Sequence, residues 1–364
     1  MTHSQRRDRL AARLAAVEVD ALLVSDLVNV RYLTGFTGSN AALVVFADGR
    51  PAVLATDSRY RTQAACQAPD VEVIIERACG RHLVRRALAD GAGRIGFESH
   101  VVTVDGFAAL SSELAEHGKA ELVRAAGAVE ALREIKDDGE LALLRLACEA
   151  ADAALTDLIA HGGVRAGRTE REVARDLEAR MLEHGADGPS FETIVAAGPN
   201  SAVPHHRPTD AVLATGDFVK IDFGALVGGY HSDMTRTFVL GSAAEWQRDV
   251  YQLVTVAQRA GREALEQGVA LCEVDAAARQ VICDAGYGEH FGHGLGHGVG
   301  LQIHEAPGIG SAATGILRAG AVVTIEPGVY LPERGGVRIE DTLAVGERGA
   351  ELLTRFPKEL AVLA

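Results

Sequence analysis

Four acidic residues and a histidine in the second half of this chain have the types and spacing to hold metal ions. The segment Asp217–Gly241 (DFVKIDFGALVGGYHSDMTRTFVLG) alternates as a strand does, with Val219, Ile221 and Phe223 on one face and Lys220 and Asp222 on the other. Gly228 and Gly229 supply a turn. Pairing Asp222 with Asp233 centres the hairpin between Val227 and Gly228, so the two carboxylates face each other with Cβ atoms about 5 Å apart. The segment from Val322 to Leu343 repeats the design as VVTIEPGVY, the loop LPERGG, and VRIEDTL, with Glu326 opposite Glu340 about a centre at Glu333. Asp and Glu are poor strand residues, and like charges set opposite each other destabilise a sheet. Two such pairs require a compensating cation, which also holds each carboxylate ionised.

Between the hairpins lies FGHGLGHGVGLQIHE, with His293, His297 and His304 among alternating glycines. Oxygen-rich ligation with one imidazole suits Mn²⁺, Co²⁺, Fe²⁺ or Zn²⁺, and the absence of cysteine ligands argues against a structural zinc site. Four carboxylates around one ion carry too much negative charge. Two divalent ions sharing carboxylates balance it, an arrangement suited to hydrolysis. Each residue alone has a plain explanation: Asp222 or Asp233 as a hairpin-edge charge, Glu340 and Asp341 as a solvated pair, His297 as a core histidine. The joint pattern is what points to metal. The glycines from Gly292 to Gly300 fall on every second residue and do not form a G-x-G-x-x-G nucleotide loop. His205 and His206, after Pro204, read equally as loop or site residues.

These residues need a scaffold, and 364 residues favour two domains over one. Apolar residues at 48% and charged residues at 24% describe an ordinary folded protein. A formal net charge of −14 has the wrong sign for a nucleic-acid partner. The five cysteines form no C-x-x-C pair and fit a reducing cytoplasm, and no apolar window approaches the length of a membrane span. From Asp20 to Phe97, the strands Ala21–Val24, Ala41–Phe46 and Pro51–Ala55 and the helix His82–Ala89 describe an α/β module. One long amphipathic helix is expected over Glu130–Ile159, a second over Thr169–His184 with a Thr169/Glu172 capping box, and a third from Ala244 to Gly268. The stretches Phe191–Leu240 and Gly292–Val345 read as antiparallel strands, which makes the C-terminal part α+β. The boundary is placed near Gly127, dividing the chain into 1–127 and 128–364.

At VPHH (Val203–His206), Lys220–Phe238, His293–Glu305, TIEPGVY (Thr324–Tyr330) and GGVRIEDT (Gly335–Thr342), the sequence resembles the pita-bread metallopeptidases that include aminopeptidase P and prolidase. Asp26–Val45 and TDSRY (Thr56–Tyr60) resemble the creatinase-type N-terminal domain of the Xaa-Pro peptidases. The resemblance implies a smaller α/β creatinase-type domain followed by an α+β pita-bread catalytic domain. It implies two divalent metal ions, Mn²⁺ foremost with Co²⁺, Zn²⁺ or Fe²⁺ as alternatives, on Asp222, Asp233, His297, Glu326 and Glu340, with Asp233 and Glu340 shared. It further implies Glu326 as general base, His205 and His304 as catalytic partners, and His293, Arg338 and Tyr330 at the substrate site. The activity implied is that of an Xaa-Pro aminopeptidase on short peptides with proline second, the alternative being an Xaa-Pro dipeptidase and the distant one a binding module without catalysis. A homodimer is also implied. His206 departs from the glycine that many prolidases carry there, which bears on the rim of the site.

Overall fold

The apolar runs of the first third become strands with every residue buried: Ala21–Val24, Ala41–Phe46 and Val53–Thr56. In the computed structural model, which describes all 364 residues, they are central members of a six-stranded sheet. Its order is Glu72–Ile75, Val53–Thr56, Ala41–Phe46, Ala21–Val24, Arg94–Phe97 and Glu121–Arg124. The sheet is mixed: Ala41–Phe46 pairs antiparallel with Ala21–Val24 and with Val53–Thr56, and the remaining three pairings are parallel. Helix Cys79–Ala89, which contains the expected His82–Ala89, covers one face through Leu83, Val84 and Ala87, together with Leu110 and Leu114 of helix Val104–His117. Covered strands carry near-continuous apolar runs, which is why they were legible.

The chain divides into two units, Met1–Arg133 and Glu134–Ala364. The first runs past Gly127 because Glu130 and Arg133 are tied back to Asn29, by Nδ2 to Glu130 Oε1 at 2.7 Å and by Arg133 Nη1 to Asn29 Oδ1 at 2.8 Å. The single helix expected over Glu130–Ile159 is therefore two, Glu130–Arg133 and Asp138–Ala160. The Lys136 N–H leaves helical bonding for the Gly320 carbonyl, and Asp137 then caps the second helix in a reciprocal box with Glu140.

In the second unit, two helix pairs each back a sheet. Asp138–Ala160 and Glu170–Glu183, the latter capped by Thr169 and Glu172 as expected, pack on strands Ile194–Ala197, Phe218–Phe223 and Met234–Leu240. Glu245–Glu263 and Leu271–Asp284 pack on the sheet built around Val322–Ile325 and Asp341–Gly346. The expected helix to Gly268 stops at Glu263, and Leu271–Asp284 was not anticipated. Helices over sheets that are antiparallel, save for the parallel pairing of Met234–Leu240 with Val362–Leu363, make this the expected α+β unit. No helix is long and apolar enough to cross a membrane.

The second hairpin has the expected register: Ile325 faces Asp341, Gly328 faces Arg338, and Leu331 faces Gly335 about Glu333, whose φ is 64°. In the first, each pairing is shifted by two residues and the turn centre by one. Asp222 faces Thr235, Val227 faces Tyr230, and the turn falls between Gly228 and Gly229, which take φ of 56° and 83°. Asp233 is thus a diagonal neighbour of Asp222, not its direct partner. A shift of this kind preserves parity, so both side chains stay on one face. Gly224 beside the break is obligatory, because a Cβ there would lie 1.8 Å from the Ser232 carbonyl oxygen.

Candidate metal centre and active site

The two hairpins and the glycine-rich segment meet at a cleft of about 450 Å³. Its walls include all five expected ligand side chains, Asp222, Asp233, His297, Glu326 and Glu340, with His205, His293, His304 and Arg338 around them. Ligand atoms of Asp233, His297 and Glu340 lie within 4.8 Å of one another. His297 Nε2 is 3.5 Å from Asp233 Oδ2 and 3.4 Å from Glu326 Oε1. Its Nδ1 bonds the Gly298 carbonyl at 3.1 Å, which assigns the proton to Nδ1 and turns a bare Nε2 toward the carboxylates.

The charges here do not balance. Burial pushes the Asp233 carboxyl well above the usual range, and the Glu340, Asp222 and Glu326 charges push it further. Glu340 is raised in the same way, first by burial and then by Glu326 and Asp222. Glu326 is pushed up to about 7 by burial, with Arg338 opposing. Burial, then His304, lowers His297 to about 4, so its imidazole is neutral and able to ligate. Asp222 Oδ1 and Asp233 Oδ1 are buried with no hydrogen-bond partner. Orphaned buried carboxylate oxygens are costly, and a divalent cation removes both that cost and the repulsion. The donor set, four carboxylates and one neutral imidazole without thiolate, fits the divalent ions named from the sequence.

Arg338 organises the wall behind this cluster. Its Nη2 holds the second oxygen of Asp222, its Nε donates to Thr235 Oγ1 at 3.0 Å, and Nη1 donates to Tyr330 Oη at 2.8 Å. Thr235 Oγ1 in turn donates to Glu340 Oε2 at 2.6 Å. Burial raises Tyr330 to about 12, so its hydroxyl keeps the proton and donates to His293 Nε2 at 2.8 Å. His293 Nδ1 donates to the Gly294 carbonyl at 2.8 Å, and burial with Arg338 lowers the ring to about 4. The structure thus places Arg338 against Asp222 and sets Tyr330 behind the cleft wall, linked to it through His293.

His205 borders the cleft, its pKa lowered by burial and Arg338. The His304 ring stands edge-on to His297 with centroids 4.3 Å apart. His206 also borders the cleft, but its Nε2 bonds Glu170 Oε2 at 2.8 Å. The sequence reading missed Thr235, Glu170 and the buried Lys220. Thr235 shares parity with Asp233, a signal that was available. Glu170 carried no such signal.

Comparison with known proteins places the chain in a family. Metallopeptidase family M24 matches residues 142–347, and the creatinase/prolidase N-terminal domain matches residues 6–135. An Xaa-Pro dipeptidase of Pyrococcus furiosus is 36% identical over 362 residues, 98% of this chain and 99% of its own. The structure of an Xaa-Pro dipeptidase from Bacillus anthracis matches with a TM-score of 0.93 at 37% identity, covering 100% of both chains. That of an X-Pro aminopeptidase from Thermotoga maritima matches at 0.89 and 34%, covering 98% of this chain and 99% of that one. The protein belongs to metallopeptidase family M24, a family of hydrolases, with a pita-bread catalytic unit preceded by a creatinase/prolidase N-terminal domain.

Proposed function

We propose that this protein is an Xaa-Pro dipeptidase that hydrolyses the bond between an N-terminal residue and proline, with two divalent ions, Mn²⁺ foremost and Co²⁺, Zn²⁺ or Fe²⁺ as alternatives. The observation that carries the reading is the convergence of Asp222, Asp233, His297, Glu326 and Glu340 in one cleft, with two buried carboxylate oxygens left unpartnered. The dipeptidase takes precedence over the aminopeptidase expected first from the sequence because the relatives named Xaa-Pro dipeptidase are the more similar ones.

Asp222, Asp233, His297, Glu326 and Glu340 are the residues that would hold the ions. Bound there, the ions supply Lewis acidity at the scissile carbonyl and ease deprotonation of water. Glu326 accepts the proton of the attacking water and returns it to the proline nitrogen as that bond breaks. His205 and His304 face the cleft as hydrogen-bond donors for the developing oxyanion. Both nitrogens of His293 are engaged, one by Tyr330 and one by the Gly294 carbonyl, so the ring presents carbon to the substrate. A neutral apolar face suits a pyrrolidine ring. Arg338 orients Asp222 and keeps the Tyr330 hydroxyl on His293.

A cytoplasmic site of action belongs to the same reading and fits five free cysteines. So does the homodimer, which light scattering checks. The deciding experiment is mass-spectrometric product analysis of Mn²⁺-loaded protein given Ala-Pro and Ala-Pro-Ala, each with and without chelator. Chelator-sensitive cleavage confined to Ala-Pro is the expected result. Release of Ala and Pro-Ala from the tripeptide makes it an aminopeptidase, a reading favoured by the Thermotoga maritima likeness. Cleavage of neither with any of the four metals contradicts prolyl specificity and favours a binding role.

A further inference from the structure

His205 stands on a segment, residues 198–208, whose only regular structure is a 3-10 turn over Gly198–Ala202. Its backbone polar groups have no sheet to satisfy them, and the imidazole must still be held at the cleft. Two buried charges of opposite sign grip this segment. From the strand Phe218–Phe223, Lys220, with no solvent exposure, donates Nζ to the carbonyls of Ser201 at 3.1 Å, Val203 at 2.7 Å and Pro204 at 3.3 Å. Those three bonds use all three donors of the ammonium, so none remains for substrate. Arg338 Nη1 reaches the same Pro204 carbonyl at 3.3 Å.

Glu170, equally buried at the start of its helix, takes the other charge. It accepts from Ala197 N and Asn200 Nδ2 at 2.9 Å each, from Thr209 N at 2.9 Å and Oγ1 at 2.8 Å, and it meets His206 Nε2 at 2.8 Å. The carbonyls before His205 are thus drawn toward a cation, and the residue after it toward an anion. A buried ammonium is costly, and an apolar side chain of similar length would fill the same space more cheaply. What the charge accomplishes is to fix the peptide planes immediately before His205.

We propose that Lys220 is a positioning residue that sets His205 at the cleft, with Glu170 as the opposing anchor through His206. The kinetic arm of its test rests on the dipeptidase reading, and the exchange arm does not. Lys220→Met keeps the length and removes all three donors. Hydrogen exchange of peptides covering residues 198–209 should quicken in this variant, with the strand Phe218–Phe223 and the Mn²⁺ content unchanged. On Ala-Pro, kcat should fall about 100-fold with KM little changed, the order expected when a reacting group is displaced by about 1 Å. In a His205→Ala background the same substitution should cause no further loss, because the two act as one unit. Lys220→Arg, which keeps charge and donors, should recover part of the rate.

Unaltered exchange over 198–209, or losses that multiply in the double variant, overturns the proposal. If Lys220→Met does not fold, Lys220→Gln, with its amide donor, is read against the same outcomes. A wild-type protein that cleaves no Xaa-Pro substrate contradicts the dipeptidase reading, and the exchange result still decides the clamp.

Discussion

Glu340 and Asp341 are neighbours, both buried at 2% and 0% exposure, yet their surroundings are opposite. Asp341 faces away from the cleft into cations: Arg236 Nη2 at 2.8 Å and Lys358 Nζ at 2.9 Å, with Gln258 at 2.7 Å and Thr354 at 3.1 Å completing its bonds. Burial works to raise its carboxyl, and Arg236 with Lys358 outweighs that and lowers it. Glu340 has one donor, Thr235, and is raised well above the usual range by burial and by Glu326 and Asp222. Burial works to raise both carboxyls. The protein supplies the compensation for one and leaves the other to an external cation.

Breaking the compensated side should have the largest effect on stability. Asp341→Ala leaves the buried Arg236 and the half-buried Lys358 without their anion and should cost about 3–5 kcal/mol in chemical denaturation. On the other side, Asp233→Ala should leave the fold intact while metal content and cleavage disappear together. Asp233→Asn should raise the melting temperature of the metal-free protein, since it removes a carboxyl that folding must either protonate or hold ionised against Glu340, Asp222 and Glu326.

The pH dependence sharpens the same contrast. Glu326 is raised to about 7 in the folded, metal-free protein. Stability from its protonated form is full below the ordinary carboxylate range of about 4–5 and is lost as pH rises through about 7. Melting of metal-free protein should therefore fall from about pH 5 to about pH 8. Saturating Mn²⁺ should reverse that trend, because binding requires ionised carboxylates. The smallest expected effect is Tyr330→Phe, which removes the donor to His293 and the acceptor for Arg338 and should lower kcat about 10-fold.

The second hairpin was fully legible because its register is symmetric about Glu333 and continuous through two ladders. In the first, the turn centre lies one residue further on, between Gly228 and Gly229, so each pairing moves by two residues and parity keeps Asp222 and Asp233 on one face. The break before Asp138 was readable in principle from Asp137 and Glu140, a capping box hidden within a helical pattern. Periodicity puts Lys220 on the same strand face as Asp222 but does not show what it holds, and nothing in it marks Glu170, since the partners of both lie on a loop that only tertiary folding brings near. The bland reading of Glu340 and Asp341 as a solvated pair failed for a related reason. Asp341's cations lie far along the chain at Arg236 and Lys358.

The most direct test of the metal centre is calorimetric titration of metal-free protein with Mn²⁺, followed through Ala-Pro cleavage in the same samples. The expected result is two ions bound per chain, with activity rising as they bind and both lost in Asp233→Ala. No measurable binding in the wild-type protein, or unchanged stoichiometry in Asp233→Ala, contradicts it.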